Sequence, residues 1–73
     1  MNSQERKAAV GLNIYMARKD SDFSQRGVAE GVPCGQSALS QIESGQRAPS
    51  LDMLCAIAVV FGCEPGALLN GVR

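Results

Sequence analysis

Glycine and proline interrupt this chain so often that only short helices fit between the interruptions. The two residue types lie close together at residues 31–33, 45–49 and 62–65. Proline removes a helical hydrogen bond, and glycine readily ends a helix in the left-handed conformation. Between the interruptions the apolar residues recur three or four positions apart, which is helical spacing, and no segment keeps the alternation of a strand. We therefore predict one all-α domain across residues 1–73, with five short helices around a single core.

Capping patterns indicate where the predicted helices begin. A capping-box pattern at residues 2–5 predicts a first helix from Ser3 to the polar segment at residues 19–22. Ser24 and Ser50 suit the N-cap positions of a second and a fourth helix. The other predicted boundaries are a left-handed Gly31 and Pro33 after the second helix, Gly35 or Gln36 and Gly45 around the third, and Gly62 and Pro65 between the fourth and fifth.

Each predicted helix carries one apolar stripe that faces the core. The first helix has further apolar residues, Leu12, Tyr15 and Met16, on its other faces, which is more than a small core requires. The residues predicted to face the core are Val10, Ile14, Ala17, Val28, Val32, Leu39, Ile42, Leu51, Leu54, Ile57, Ala58 and Phe61.

Cysteine and histidine usage argues against a metal site and a disulfide framework. Three cysteines, Cys34, Cys55 and Cys63, are widely spaced, and the chain has no histidine. A zinc site needs four such ligands at suitable spacing, so we predict no metal. Each cysteine is interpreted as a small core residue of a cytoplasmic protein with reduced thiols. The polar first residues indicate no signal peptide, and the apolar run at residues 55–61 is too short to cross a bilayer.

Catalysis is not indicated by any group of residues. The chain lacks a histidine base, a phosphate-binding glycine loop and a nucleophile that stands beside both a base and an orienting group. We therefore predict that the protein is not an enzyme, and we predict no cofactor, no small-molecule ligand and no membrane partner.

The stretch from residue 23 to residue 43 is the most informative part of the sequence. It predicts two short helices in succession with a tight break between them, and a small residue at Ala29 lets them cross closely. The third helix then exposes uncharged polar residues on one face. Glutamine donates and accepts together, so it can bind an adenine edge through two hydrogen bonds. Two interpretations stay open on this pattern alone: a DNA-reading helix and a neutral surface helix. The exposed polar residues are Gln36, Ser37, Ser40 and Gln41.

Short motifs along most of the chain, from Gly11 to about Gly71, resemble the Cro and phage-repressor type of helix-turn-helix domain, the xenobiotic-response-element family. The resemblance implies a compact, five-helix, lambda-repressor-like domain that acts as a transcription regulator, often a repressor. It also implies a homodimer on double-stranded DNA, at an inverted-repeat operator, with helices 2 and 3 as the helix-turn-helix and residues 36–44 in the major groove. The motifs that carry it are Arg18 and residues 23–25, 28–29, 39–43, 45–51 and 68–71.

The resemblance also implies roles for individual residues. Gln36, Ser37 and Gln41 match positions that reach base edges, and Ser40 is a nearby candidate. Arg18 and Glu43 match a pair that forms a buried ion pair between the first and third helices, which is a structural role. The residues assigned to DNA phosphates are Ser24, Gln25, Arg26, Gln46 and Arg47, with Gln25 also supporting Gln36.

Three positions depart from the family pattern. Pro33 stands in the turn where glycine is common, and proline cannot adopt a positive φ. We expect Gly31 to supply the left-handed residue instead, which would shorten the second helix. Gly27 lies inside the second helix, and Asp22 replaces another common glycine.

The charge balance and the surplus of apolar residues leave further alternatives. Seven basic and seven acidic residues give a net charge of zero, so we expect modest DNA affinity, a shallow salt dependence and reliance on dimerisation. An alternative function is a protein-interaction module on the same fold. A third hypothesis is a thiol sensor at Cys34. The residues predicted to form a dimer or partner surface are Leu12, Tyr15, Met16, Leu68, Leu69 and Val72.

Overall fold

The computed structural model describes residues 1–73, and it confirms the all-α fold class. The longest helix, α1, is followed by three shorter ones and a final 3-10 turn. The fifth predicted helix is therefore wrong in type: five residues leave little room for helical i→i−4 bonds, and Ala67 N donates instead to the Glu64 carbonyl three residues earlier. The elements are α1 (Ser3–Asp20), α2 (Gln25–Glu30), α3 (Gly35–Glu43), α4 (Leu51–Phe61) and the 3-10 turn Pro65–Leu69.

Side-chain caps begin three of the four helices, as predicted. Asn2 Oδ1 accepts from the Glu5 backbone N–H at 2.8 Å, while the Glu5 carboxylate accepts from the Asn2 backbone N–H at 2.9 Å. Ser24 Oγ accepts from the Gly27 N–H at 2.9 Å, and Ser50 Oγ accepts from the Met53 N–H at 3.1 Å. These bonds satisfy backbone donors that a helix leaves unpaired at its start.

The core contains apolar residues from all four helices and from the 3-10 turn. Ile14, Leu39 and Ile57 are fully buried at its centre. Leu51 was predicted to face the core but is 74% exposed, and Met53 is buried instead. Leu51 begins α4, and a side chain at a helix start lies over the preceding turn rather than against the packed helices. The buried core residues are Val10, Ile14, Val28, Val32, Ala38, Leu39, Ile42, Met53, Leu54, Ile57, Ala58 and Leu68.

Close approach of backbones fixes how α1 lies against α3. Gly11 is buried in α1, and a Cβ at this position would overlap the carbonyl oxygen of Ile42 and lie 3.0 Å from that of Glu43. Only glycine therefore allows α1 to lie this close to the end of α3, which is where the candidate site begins.

Two of the three cysteines, Cys34 and Cys55, do not occupy the core positions predicted for them. Cys34 and Cys55 are exposed, and Cys63 is half-buried against the core. Cys34 lies in the connection before α3, where its Sγ is 3.5 Å from Met53 Sδ. Cys55 lies two residues from both Met53 and Ile57, so the helical turn directs it away from the core. No helix in the structure has both the length and the apolar character needed to span a membrane.

Candidate nucleic-acid interface

The turn between α2 and α3 is built differently from the prediction. Gly31 has a φ of −96°, so it is not left-handed, and Gly35 has a φ of +76°. Gly31 instead lies close to α4, because a Cβ there would lie 2.8 Å from Val60 Cγ2 and would oblige that side chain to shift. The left-handed residue thus follows Pro33 by two positions rather than preceding it. Asp22, where the family commonly has glycine, also takes a left-handed φ of +60°, which Asp tolerates.

The helix α3 separates an apolar inner face from a polar outer face. Ala38, Leu39 and Ile42 are buried against the core. The four residues predicted to read bases, Gln36, Ser37, Ser40 and Gln41, are all exposed. None of them carries a charge, and each has hydrogen-bonding groups that face solvent. The structure therefore places four adaptable polar side chains together on one helix surface.

A buried ion pair anchors the polar side of the site. Arg18 of α1 donates from Nε to Glu43 Oε2 at 2.8 Å and from Nη2 to Oε1 at 3.0 Å, which is a bidentate arrangement. Arg18 Nη1 also donates to the Phe23 carbonyl at 3.0 Å. Arg18 is only 7% exposed. The hydrogen bond to Glu43 raises the pKa of Arg18 above its ordinary value, against the lowering effect of burial. The guanidinium therefore stays charged and holds together α1, α3 and the connection that precedes α2.

Two glutamines extend this ion pair to the exposed surface. Gln25 Nε2 donates to Glu43 Oε1 at 3.3 Å, and Gln36 Nε2 lies 3.4 Å from Gln25 Oε1 as a donor. An ionised carboxylate only accepts hydrogen bonds, so Glu43 selects the amide nitrogen of Gln25. The Gln25 oxygen is then directed toward Gln36. The ion pair thus orients a residue of the outer face through two amide groups.

The residues assigned to phosphate contacts lie before and after α3 in the sequence. Ser24, Arg26, Gln46 and Arg47 are exposed, whereas Gln25 is half-buried. The single ion pair in the structure is that between Arg18 and Glu43, which leaves Arg26 and Arg47 without a carboxylate partner. The Ser24 hydroxyl caps α2 as an acceptor and can still donate its own hydrogen.

The predicted partner surface is only partly exposed. Leu12, Met16 and Leu69 are exposed, and Tyr15 is exposed beneath Arg18 and Lys19. Leu68 was wrongly included, because it is 2% exposed and belongs to the core. The 3-10 turn directs Leu68 inward and Leu69 outward, and Asn13 fixes the turn by donating from Nδ2 to the Leu68 and Asn70 carbonyls. Val72 is half-buried.

Sequence reasoning missed two features of the structure. The first is the bond between Gln25 and Glu43, which joins residues that were assigned separate roles. The second is a row of exposed apolar residues along α4, which comprises Leu51, Cys55 and Val59. Their spacing of four residues was visible in the sequence, but the same helix has a second apolar face that pointed to the core.

Known proteins share this fold and part of this sequence. The apo form of the competence regulator ComR from Streptococcus vestibularis is 32% identical with a TM-score of 0.86, over 93% of this chain and 23% of that one. The restriction-modification controller protein C.AhdI from Aeromonas hydrophila is 26% identical with a TM-score of 0.81, over 85% of this chain and 94% of that one. The P22 c2 repressor protein, solved in complex with a synthetic operator, is 29% identical with a TM-score of 0.77, over 85% and 94% respectively.

The matches differ in how much of the relative they span. The chain covers less than a quarter of ComR but nearly all of C.AhdI and of the P22 repressor chain. No curated protein sequence matches the chain. The sequence pattern of the helix-turn-helix family matches residues 14–68, which include α2, α3 and the ion pair that supports them. The chain belongs to the helix-turn-helix family of the Cro/C1 type.

Proposed function

We propose that this protein is a sequence-specific DNA-binding transcription regulator that inserts α3 into the major groove. The observation that carries the proposal is the oriented side chain of Gln36, at the start of an exposed and uncharged helix face. An α-helix fits the width of the major groove, where each base pair presents a distinct pattern of donors and acceptors. This function agrees with the family to which the chain belongs. We propose that residues 1–73 form a single DNA-binding domain.

The chain of hydrogen bonds prepares Gln36 for base recognition before DNA arrives. One N–H of Gln36 faces Gln25, so its second N–H and its carbonyl oxygen remain free. These two groups match N7 and N6 of adenine, which a glutamine contacts in a bidentate manner. Ser37, Ser40 and Gln41 then contact neighbouring base edges on the same face. Fixing the Gln36 rotamer in advance reduces the conformational entropy lost on binding.

Phosphate contacts come from the ends of the helices and from two free cations. The cap on α2 uses only the Gly27 N–H, so the first amides of this helix remain available to a phosphate. Arg26 and Arg47 supply the positive charge, since neither is paired in the protein. Two cationic contacts per subunit predict a slope of log K against log salt of about −2 per subunit and about −4 for a dimer.

A dimer on an inverted repeat fits the size of the molecule. Successive major grooves on one side of DNA lie about 34 Å apart. The molecule measures 30 × 22 × 21 Å, so a two-fold dimer reaches that spacing if each α3 lies about 17 Å from the axis, a distance within the length of the molecule. Repression or activation then depends on where the operator lies relative to the promoter.

Selection from a pool of randomised duplexes tests the proposal. The protein is mixed with the pool at low salt, bound duplexes are recovered and sequenced, and affinity for the enriched sequence is measured against salt. An enriched inverted repeat with a shallow salt slope supports the proposal. Recovery of unselected sequences contradicts it and would direct attention to the alternative, a protein-interaction module that uses the exposed residues Leu12, Met16 and Leu69.

A further inference from the structure

A surface hollow lies between the second half of α1, the end of α4 and the 3-10 turn. Its volume is about 350 Å³, which is within the range of protein ligand pockets, about 300–1,000 Å³. Apolar residues form most of its lining, among them Met16 and Ala17 from α1 and Phe61 and Cys63 from the end of α4 and the residues after it. We call this feature the α1–α4 hollow.

The packing of the protein itself keeps the hollow in shape. Ala17 and Phe61 pack against the hydrophobic core, which fixes their positions. Asn13 donates from Nδ2 to the Leu68 and Asn70 carbonyls at 3.0 Å and 2.9 Å, so the 3-10 turn is tied to α1. A partner that binds a preformed hollow loses less conformational entropy than one that must first order its binding site.

The charged groups at the hollow are acidic. Asp20 lines it, and Glu64 directly follows the lining residue Cys63. Neither carboxylate is neutralised within the protein, because the single ion pair of the structure joins other residues. The last residues of α1 and α4 both line the hollow, and the C-terminal end of a helix carries a partial negative charge. The neighbouring cation Lys19 lies over the Tyr15 ring instead.

Met16 is one of the apolar residues of α1 that the core does not use. It is 53% exposed and lines the hollow, whereas Leu12 is 54% exposed and lies outside it. An exposed apolar surface with a polar rim is typical of a contact site for another molecule. The hollow therefore accounts for one of the surplus apolar residues of the first helix.

We infer that the α1–α4 hollow binds a protein partner through a basic amphipathic segment. An apolar side chain of the segment enters the hollow beside Met16, and an adjacent lysine or arginine meets the Asp20 carboxylate. Charge complementarity selects this occupant, because the acidic rim attracts a cation and repels an acidic segment or a nucleic acid. The net charge of the whole chain is zero, so the attraction comes from these local carboxylates.

The hollow shares no residue with the proposed DNA interface. Its lining comes from α1, from the end of α4 and from the 3-10 turn, whereas the DNA contacts are assigned to α2, to α3 and to residues 24 and 46–47. The partner therefore covers none of the residues assigned to DNA, and it can meet the protein on its operator. This inference goes beyond the proposed function and does not depend on it.

Binding of three peptides to the isotope-labelled full chain, followed by NMR of its backbone amides, tests the inference. The cationic amphipathic probe is acetyl-LKKLLKKL-amide; acetyl-LEELLEEL-amide reverses its charge, and acetyl-SKKSSKKS-amide removes its apolar side chains. We expect the first peptide to bind at least ten times more tightly than either control, with the largest shifts at Met16, Asp20 and Cys63. Equal affinities, or shifts centred on another surface, overturn the inference.

Matched substitutions locate the binding site. Met16→Ala and Leu12→Ala truncate equally exposed residues of α1, and Asp20→Asn and Glu30→Gln each remove one exposed carboxylate. We expect the dissociation constant of the cationic peptide to rise at least fivefold with Met16→Ala and about threefold with Asp20→Asn, since exposed ion pairs are weak. Leu12→Ala and Glu30→Gln should leave it unchanged, and circular dichroism will verify that all four variants are folded. Equal effects within each pair contradict the inference.

Two further outcomes separate this inference from other occupants and from the proposed function. Shifts at Met16 and Asp20 on dilution of the protein without peptide would assign the hollow to a second copy and overturn the inference. Enrichment of an inverted repeat by a protein that does not bind the cationic peptide leaves the DNA function standing and refutes the partner site. Peptide binding by a protein that enriches no DNA sequence supports the partner site alone.

Discussion

Removal of the Glu43 carboxylate is expected to destabilise the protein severely. Glu43→Ala deletes both acceptors of the bidentate bond from Arg18 and the acceptor of Gln25 Nε2. The Arg18 guanidinium, in a residue only 7% exposed, then keeps one protein partner, the Phe23 carbonyl. A buried charge without its counter-ion is the costly outcome, more so than the loss of the attraction itself.

The expected loss is large compared with the stability of a domain this small. Breaking a buried ion pair costs about 3–5 kcal/mol. A domain of 73 residues has a free energy of unfolding of about 4–11 kcal/mol. With a urea m-value of about 1 kcal/mol per molar, the midpoint of unfolding should fall by about 3 M or more. Glu30→Ala, which removes an exposed carboxylate from α2, should change the free energy by less than about 0.5 kcal/mol.

Urea denaturation followed by circular dichroism measures these differences. The double variant Arg18→Met with Glu43→Leu removes both charges, and we expect it to recover most of the lost stability, because apolar replacements of a buried pair are often neutral or better. A loss below about 1 kcal/mol for Glu43→Ala would refute the reasoning, since it would mean that water solvates Arg18 in the variant.

Three further substitutions test other parts of the account. Gly11→Ala adds a methyl group that overlaps the Ile42 carbonyl, so thermal unfolding should show the free energy of unfolding lowered by about 1–3 kcal/mol. The control is Gly66→Ala, because a Cβ at Gly66 has nothing within 4 Å. A Gly11→Ala variant that is more stable than the wild type would contradict the close approach of α1 and α3. Ser50→Ala removes the cap on Met53 N–H and should cost about 1 kcal/mol in urea unfolding, whereas an unchanged midpoint would show that the cap is dispensable. Arg47→Ala should make the salt slope of DNA binding less negative by about 0.9 per subunit, and an unchanged slope would remove Arg47 from the phosphate contacts.

Local signals in the sequence predicted most of the helices. The caps at Asn2, Ser24 and Ser50 are bonds between residues three positions apart, so the sequence contains both partners. Gly31 was misread because its requirement is not local. A Cβ on Gly31 would lie 2.8 Å from Val60 Cγ2 of α4, and that close contact depends on the packing of distant helices.

In the candidate site, too, the local features were predictable from the sequence, whereas the contacts between distant residues were not. Helical periodicity alone placed Gln36 and Gln41 on the outside of α3 and Leu39 on the inside. The bond from Gln25 to Glu43 spans 18 residues and could not be found from spacing. Leu68 and Leu69 show the limit most plainly, because two identical neighbours have opposite burial, and only the path of the chain after α4 decides between them.

A comparison of two selection experiments tests the central claim, that the outer face of α3 reads base edges. Randomised duplexes are selected with the wild-type protein and with Gln36→Ala, and the two sets of recovered sequences are aligned. We predict an inverted repeat for the wild type, and for the variant a loss of preference at one position in each half-site with the other positions retained. Identical preferences for the two proteins would contradict the account, because they would show that Gln36 does not contact a base.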